Sequence, residues 1–511
     1  MITDLCGTGS THRSADVVVV GAGTVGLAIS TLLARNNLSV VCLESGGAQQ
    51  EEEEHPLNRT LYTGSVYLGA TKGRYRCLGG TSTRWGGSLI PFIASDMEQA
   101  NWPIRLSDLE PFVASVEALF GLEPGPYEGQ FPIALPETHI ARFAKWPRFR
   151  NRNVYNILKA ECHRRANLHI ITHATVTELE VNNQYLRNLQ ALAPDGSKIT
   201  IQAKSYIVAA GAIETTRLIL LADLRTNGAI SSISPCLGRY FSDHISAKIA
   251  QIEPRSIARL NRLVGFRFGK YGTMRHLRFE LSNTSNLRKE VPPCFAHVKF
   301  ETSATRGFET VRKVLQRIQS RRPPSLTEFV DLAASLPWIS RAAFSRVFEK
   351  RLLNPDGASA AVHMVVEQEA NAENCIRLST THRDQFGVPL PVIQWAISDK
   401  DLSNFRKAAA AFEAIWRNSR LNEVARYIPL PERQVEEDLS SGGGIYHPCG
   451  STRMANSSRD GVVDPDLKLF GIPNVRLAAT SVLPTAGGSN PTMMLFLLAF
   501  RCVDQVIREL S

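Results

Sequence analysis

Two side chains near the C-terminus have the types and spacing for chemistry on an alcohol. His447 opens the run His447-Pro-Cys-Gly-Ser-Thr-Arg-Met454, and Asn490 stands in Pro484-Thr-Ala-Gly-Gly-Ser-Asn-Pro-Thr-Met-Met494. An imidazole is suited to take a hydroxyl proton near neutral pH. A carboxamide can hydrogen-bond the same oxygen, and the apolar helix opening at Asn490-Pro491-Thr492 offers unpaired N–H groups to developing negative charge. A base beside an electron acceptor is what alcohol oxidation needs, because the alkoxide is a far better hydride donor than the alcohol. His244, which closes Gly238-Arg-Tyr-Phe-Ser-Asp-His244, is a second histidine candidate, with a structural hydrogen bond as its preferred reading.

These residues need a scaffold that brings a cofactor to them. Asp16-Val-Val-Val-Val20 is an unbroken β-branched run, which predicts a parallel strand buried on both faces. Gly21-Ala-Gly23-Thr-Val-Gly26 follows at once, a helix is predicted from Leu27 to Arg35, and Leu38 to Glu44 gives the next strand. Glu44 lies eighteen residues past the last glycine, where an acid can bond the adenosine ribose hydroxyls, so the whole unit predicts dinucleotide binding without choosing between nicotinamide and flavin. Leu78-Gly79-Gly80-Thr81-Ser82-Thr83-Arg84-Trp85-Gly86-Gly87 has the small residues that let backbone approach a flat ring or a phosphate. Leu168 to Val176 alternates like a strand, and Ser205 to Leu220 reads as strand, glycine turn at Gly211, and helix.

His447-x-x-Gly450-Ser451-x-Arg453-Met454, then Val462-Val463-Asp464, Ser481-x-x-Pro484-Thr485 and Asn490-Pro491-Thr492, resembles the C-terminal signature of the glucose–methanol–choline flavoprotein oxidoreductases. Val17 to Glu44, Leu78 to Gly87, Ser205 to Leu220 and Gly238 to His244 are similar to further segments of that family. The resemblance implies an α/β fold in which a Rossmann-like FAD-binding domain is interleaved with an α+β substrate-binding domain built on an antiparallel sheet. Its expected parts are residues 14–246 for FAD, with a lid or connecting region at about 47–160, then 247–435 for substrate and 436–511 returning to the FAD domain with the catalytic His447 and Asn490. FAD would be held by Gly21, Gly23, Gly26, Glu44, Gly79, Gly80, Thr81, Ser82, Arg84, Trp85, Gly86, Gly211, Pro491 and Thr492, with Val176 under the adenine.

Two departures matter. Relatives of the pyranose oxidase type carry a flavin-attaching histidine where this chain has Arg84, which implies non-covalent FAD; a surface or ion-paired arginine is the alternative role for Arg84. Ala479 stands where many members have an aspartate, which sugar oxidases of the pyranose type also lack. The implied activity is FAD-dependent oxidation of an alcohol, a hydroxyl of a sugar or glycoside above all, with hydride passing to flavin N5 and His447 as base. A sterol, aryl alcohol or polyol substrate, or a flavin-containing lyase of the hydroxynitrile type, is the alternative. The electron acceptor, oxygen or another, is left open.

Composition sets the remaining bounds. At 511 residues the chain predicts two domains. Net charge is +10, which alone does not separate nucleic acid, membrane and a solvated surface. Between Thr302 and Leu352 ten Arg/Lys meet four acids, so most of the excess sits in one insertion, and no nucleic-acid partner is expected. There Val311, Val314, Leu315 and Ile318 alternate at helical spacing with Arg312, Lys313 and Arg317, an amphipathic basic helix read as a cover, with peripheral docking on an anionic membrane or acidic partner as the alternative. Glu51 to Glu54 reads as a solvated loop. Nine scattered cysteines without a C-x-x-C pair indicate neither a zinc site nor a disulfide framework, and no metal is expected. No signal peptide or spanning run is evident, so a soluble cytoplasmic enzyme is the expectation.

Overall fold

The computed structural model describes residues 1–51, 54–301, 306–319, 323–354, 358–442 and 444–511. Its fold is the expected one, a Rossmann-like sheet joined to a second, antiparallel sheet. In the first, the strands run Ile2–Asp4, Leu168–Thr172, Val40–Leu43, Ser10–Val20, Lys198–Val208, Ile472–Leu477 and Lys468–Leu469. Val17, Val18 and Val19 have no exposed surface because parallel neighbours flank them on both edges and helices cover both faces. The hairpin Thr175–Asn182 and Tyr185–Leu192 joins the early half of Lys198–Val208. The sheet thus recruits Ile2–Asp4 and Ser10–Val20 from ahead of the expected boundary at residue 14.

The second sheet is antiparallel, in the order Arg267–Phe268, Met274–Leu281, Cys294–Glu301, Ser359–Glu367, His244–Pro254 and Ala425–Pro429. Period-2 alternation divides its faces. Cys294, Ala296 and Val298 enter a core with Phe405, Phe412 and Trp416 of the helix Asp399–Asn418, whereas Phe295, His297 and Lys299 turn to a cavity. The helix starts on a reciprocal cap: Ser398 Oγ accepts from Asp401 N (3.1 Å) and Asp401 Oδ2 accepts from Ser398 N (2.8 Å).

The connecting region mixes helix and strand. Helices Val113–Phe120 and Val154–Arg164 are present, but between them His139–Trp146 is a strand lying antiparallel along Met274–Leu281. It shows no alternation because it is buried on both faces and two of its buried residues form ion pairs, Arg142 with Glu280 at 2.6 Å and Lys145 with Glu117. The boundaries at 247 and 436 fall inside the strand His244–Pro254 and the helix Glu432–Gly442.

The basic insertion forms helices Arg306–Gln319, Leu326–Ala334 and Leu336–Phe344. Gln319 is buried and donates from Nε2 to Ser82 O (3.1 Å) and Trp85 O (3.0 Å), so the first of these helices covers the glycine-rich loop. Arg312 pairs with Glu309 and Arg317 with Glu328, while Leu326, Phe329, Val330, Leu336, Phe344 and Phe348 stay exposed. Residues 302–305 and 320–322, with Arg321 and Arg322, lie outside the described residues, as do Glu52 and Glu53 of the acidic loop. Among the described residues no helix is long and apolar enough to cross a membrane.

Candidate active site

The strand Ser10–Val20 stops at Gly21, whose φ of +100° is in the region that favours glycine. A Cβ on Gly26 would stand 1.8 Å from Gly21 O, so this glycine permits the helix Gly26–Arg35 to pack on the turn. At Gly23, by contrast, the nearest atom to a Cβ is Gly80 Cα at 3.9 Å, and at Gly211 (φ +76°) nothing lies within 4 Å. These two glycines open onto a cavity of about 930 Å³ that runs from Gly21 and Glu44 to His447 and Asn490. Glu44 accepts from Ala22 N and Gly46 N, each at 3.0 Å, and burial pushes its carboxyl up to about 7. Each carboxylate oxygen has a second lone pair, which leaves acceptor capacity for a ribose hydroxyl.

Gly80, Thr81, Arg84, Trp85, Gly86, Pro491 and Thr492 also line the cavity. Arg84 donates to Gln50 Oε1 from Nη2 (3.0 Å) and Nε (3.3 Å), and Trp85 donates to Arg152 O (2.6 Å). Four expected contacts lie off the cavity wall: Gly26, Gly79, Ser82 and Val176. Gly79 (φ +94°) donates to Ala22 O at 2.9 Å, and Ser82 Oγ bonds Gly79 O (2.6 Å) and Val154 N (3.0 Å), so this stretch braces the loop. Val176 is buried in the hairpin strand, where pairing with Ala191 turns it into the core. Open glycines, a positioned acid and two helices starting at the cavity suit an extended dinucleotide with a flat ring at the Asn490 end.

At that end a chain of hydrogen bonds sets the proton positions. Arg278 Nη2 donates to Asn490 Oδ1, which turns Asn490 Nδ2 toward His447 Nε2 at 3.1 Å. That nitrogen therefore accepts, and His447 carries its proton on Nδ1, 3.2 Å from His244 Nδ1. His244 Nε2 donates to Gly487 O at 2.7 Å, which leaves His244 Nδ1 free to accept. Burial, with His244 and Arg278 beside it, holds His447 well below its ordinary value, and burial takes His244 down to about 4. Both rings are neutral at physiological pH, and the Nε2 lone pair of His447 faces the cavity, where a substrate hydroxyl can replace the Asn490 donor.

The supporting carboxylates come from distant segments. Asp243 accepts from Tyr67 OH (2.6 Å) and the backbone N–H groups of His244 (2.6 Å), Tyr446 (3.0 Å) and His447 (2.9 Å), tying the two histidine segments together. Asp243, His244 and His447 bring metal-ligand atom types close together, but those four donors use both carboxylate oxygens as an anchor. Glu367 accepts from Gly487 N, and Asp96 Oδ2 from Gly488 N at 3.2 Å, fixing the loop before Asn490. Sequence reasoning gave His244 a structural bond, and its bond is to the candidate base itself. It missed Arg278, Asp243, Glu367 and the cavity-facing His276, His297 and His363. The signal for Arg278 was present in the alternation His276-Leu277-Arg278-Phe279-Glu280, polar at every second place in a buried strand.

Comparison with known proteins agrees with this architecture. Residues 370–499 match the GMC oxidoreductase family. The chain is 24% identical to the 2-methyl-1,2-propanediol dehydrogenase of Mycolicibacterium austroafricanum over 66% of its own length, and spans about half (54%) of that protein. It is 20% identical to the fructose dehydrogenase large subunit of Gluconobacter japonicus, covering 98% of each. In fold it is similar to the pyridoxine 4-oxidase of Mesorbium loti, with a TM-score of 0.60 and 16% identity over 96% of this chain and 98% of the other. The ordered motifs, the two-sheet fold and these relatives agree in making the chain similar to the GMC flavoprotein oxidoreductases, with residues 370–499 matching that family directly.

Proposed function

We propose that this protein oxidises a secondary or primary alcohol, a hydroxyl of a sugar or a related polyhydroxy compound, with FAD bound non-covalently. The relatives bearing the names of a diol dehydrogenase and a fructose dehydrogenase support the reaction class. Gly21, Gly23, Gly80 and Gly211 would admit the dinucleotide, Glu44 would bond its ribose, and the Pro491-Thr492 helix start would face its ring system. FAD, when bound, would supply the acceptor for the hydride that leaves the carbinol carbon with its two electrons. The chain supplies the rest. His447 Nε2 takes the hydroxyl proton, and Asn490 Nδ2 donates to the same oxygen and holds the carbinol carbon in place. His447 Nδ1–H, bonded to His244, steadies the imidazolium that forms.

The observation that carries this reading is the Asn490 Nδ2 to His447 Nε2 contact of 3.1 Å, which presents an unprotonated imidazole nitrogen to the cavity. The test is anaerobic stopped-flow reduction of the flavin by a panel of sugars, polyols and aryl alcohols. His447→Ala should keep the flavin and slow its reduction by about 10²–10⁴-fold, the usual worth of a positioned base. Asn490→Ala should slow it by about 5- to 150-fold, since a neutral hydrogen bond is worth about 1–3 kcal/mol when its partner is left unpaired. Parental rates of bleaching in the His447 variant would place the base elsewhere.

A further inference from the structure

Arg278 is 5% exposed, lines the cavity, and among the described residues has no carboxylate hydrogen-bonded to it. Its Nη2 donates to Asn490 Oδ1 and to Ser88 Oγ (2.9 Å), and its guanidinium lies 4.2 Å over the Phe295 ring. Nη1 is buried and unpartnered among the described residues. The acid nearest in sequence, Glu280, bonds Arg142 at 2.6 Å instead. Glu280 attracts Arg278 from a distance but is hydrogen-bonded to Arg142. A buried guanidinium with an unpaired N–H is costly, so such a group persists where something that can accept from it, an anion above all, comes to it.

The surroundings say what that anion is. The carboxylates on the cavity wall are Glu44 and Glu214, both on the Rossmann side and both already engaged, Glu44 by backbone N–H groups and Glu214 by Arg74, Arg76 and Arg217. The substrate-side wall instead carries Arg278, Lys299, His276, His297 and His363. His297 Nδ1 and His363 Nε2 are, like Arg278 Nη1, buried without partners. The two rings sit on directly paired residues of adjacent strands, 5.7 Å apart. Because one guanidinium nitrogen already bonds Asn490, a group on the other lies one guanidinium width from the place where the reacting hydroxyl meets Asn490 and His447.

Resting on the proposed alcohol oxidation, we infer that the substrate is a hydroxy acid whose carboxylate pairs with Arg278, close to the carbon being oxidised, while His297 and His363 bond its further hydroxyls. Arg278 thereby acts as the specificity-determining residue.

Matched pairs test this: glycerate against glycerol and glucuronate against glucose, as reductants of the flavin-loaded enzyme. In the parent the acid should exceed its neutral counterpart in kcat/KM by roughly 10- to 100-fold, the value of a charge-assisted hydrogen bond. In Arg278→Gln that ratio should collapse toward one, and Arg278→Lys should restore part of it. If Arg278 only orients Asn490, or only neutralises the reduced flavin, the variant slows both members alike and the ratio stays unchanged, which overturns the inference. Neutral alcohols working while their acids do not would also overturn it, with alcohol oxidation left standing. If no alcohol of either kind bleaches the flavin, alcohol oxidation itself fails. The anion site is then decided by titrating glycerate against the flavin absorption band: binding that Arg278→Gln weakens at least tenfold upholds it, and equal binding in both proteins ends it.

Discussion

His244→Phe is the sharpest probe of the hydrogen-bond chain behind the candidate base. The phenyl ring fills the same space and can keep the edge-to-face contact that His244 makes with His447, at 5.4 Å between centroids. It removes the acceptor 3.2 Å from His447 Nδ1 and the donor 2.7 Å from Gly487 O. When His447 takes the substrate proton its Nδ1–H becomes a charged donor, and such a bond contributes about 1.5–3 kcal/mol. Its loss should slow flavin reduction by roughly 10- to 150-fold, with substrate KM little changed. Gly487 O is left without its partner, which should cost about 1–3 kcal/mol of stability. The assay is anaerobic stopped-flow reduction beside a thermal melt, each on flavin-loaded protein. Since burial holds His447 below its ordinary value, the parental rate should be flat from about pH 7 upward. A variant that reduces its flavin within twofold of the parent would refute the idea that His244 supports the imidazolium.

Further tests separate structural from ligand-facing residues. Gly26→Ala should abolish soluble folded protein because its Cβ would meet Gly21 O at 1.8 Å, whereas Gly23→Ala, with its nearest neighbour at 3.9 Å, should fold normally and lose flavin affinity by about tenfold or more, measured by flavin fluorescence titration. With Arg84 at the attachment position, acid precipitation should release the flavin into the supernatant; flavin remaining in the pellet would show a tether elsewhere. Burial lowers His244 to about 4, His363 to about 4 and His276 to about 3. Protonation then favours the unfolded chain, so their contribution is complete above about pH 6.5 and is lost as pH falls toward 4. His244 alone accounts for about 3 kcal/mol, and the melting temperature should fall steeply between about pH 6.5 and 4.

Legibility followed the range of the interactions. The Gly21 to Glu44 unit could be read because strand, turn, helix and acid are consecutive, and each has a local physical requirement. The His447 and Asn490 pair could be read for its chemistry, and their separation of 43 positions is bridged by a loop whose glycines and prolines announce it. Arg278 meets Asn490 across 212 positions, Glu367 meets Gly487 across 120, and Asp243 meets the His447 backbone across 204. No local pattern encodes such pairings, since each depends on which strands of the second sheet lie together. His139–Trp146 shows the same limit from the other side. Arg142, Phe143, Ala144 and Lys145 are buried in succession, on both faces, so a test for hydrophobic alternation sees no strand where buried ion pairs stand among the apolar contacts.

The residues proposed to take the proton and hold the cofactor are carried by the Rossmann side and its C-terminal return, and their identities are constrained by one reaction. The residues that would choose the substrate stand on Met274–Leu281, Cys294–Glu301 and Ser359–Glu367, where one face packs the core and the other is free to vary without disturbing it. Strand alternation makes that separation possible: Leu277, Ala296 and Val362 hold the sheet on its helix, while Arg278, His297 and His363, each one position away, can change the cavity wall at little cost to the fold. Substitutions at these cavity-facing places should therefore redirect specificity before they reduce stability, and substitutions one residue along each strand should do the reverse.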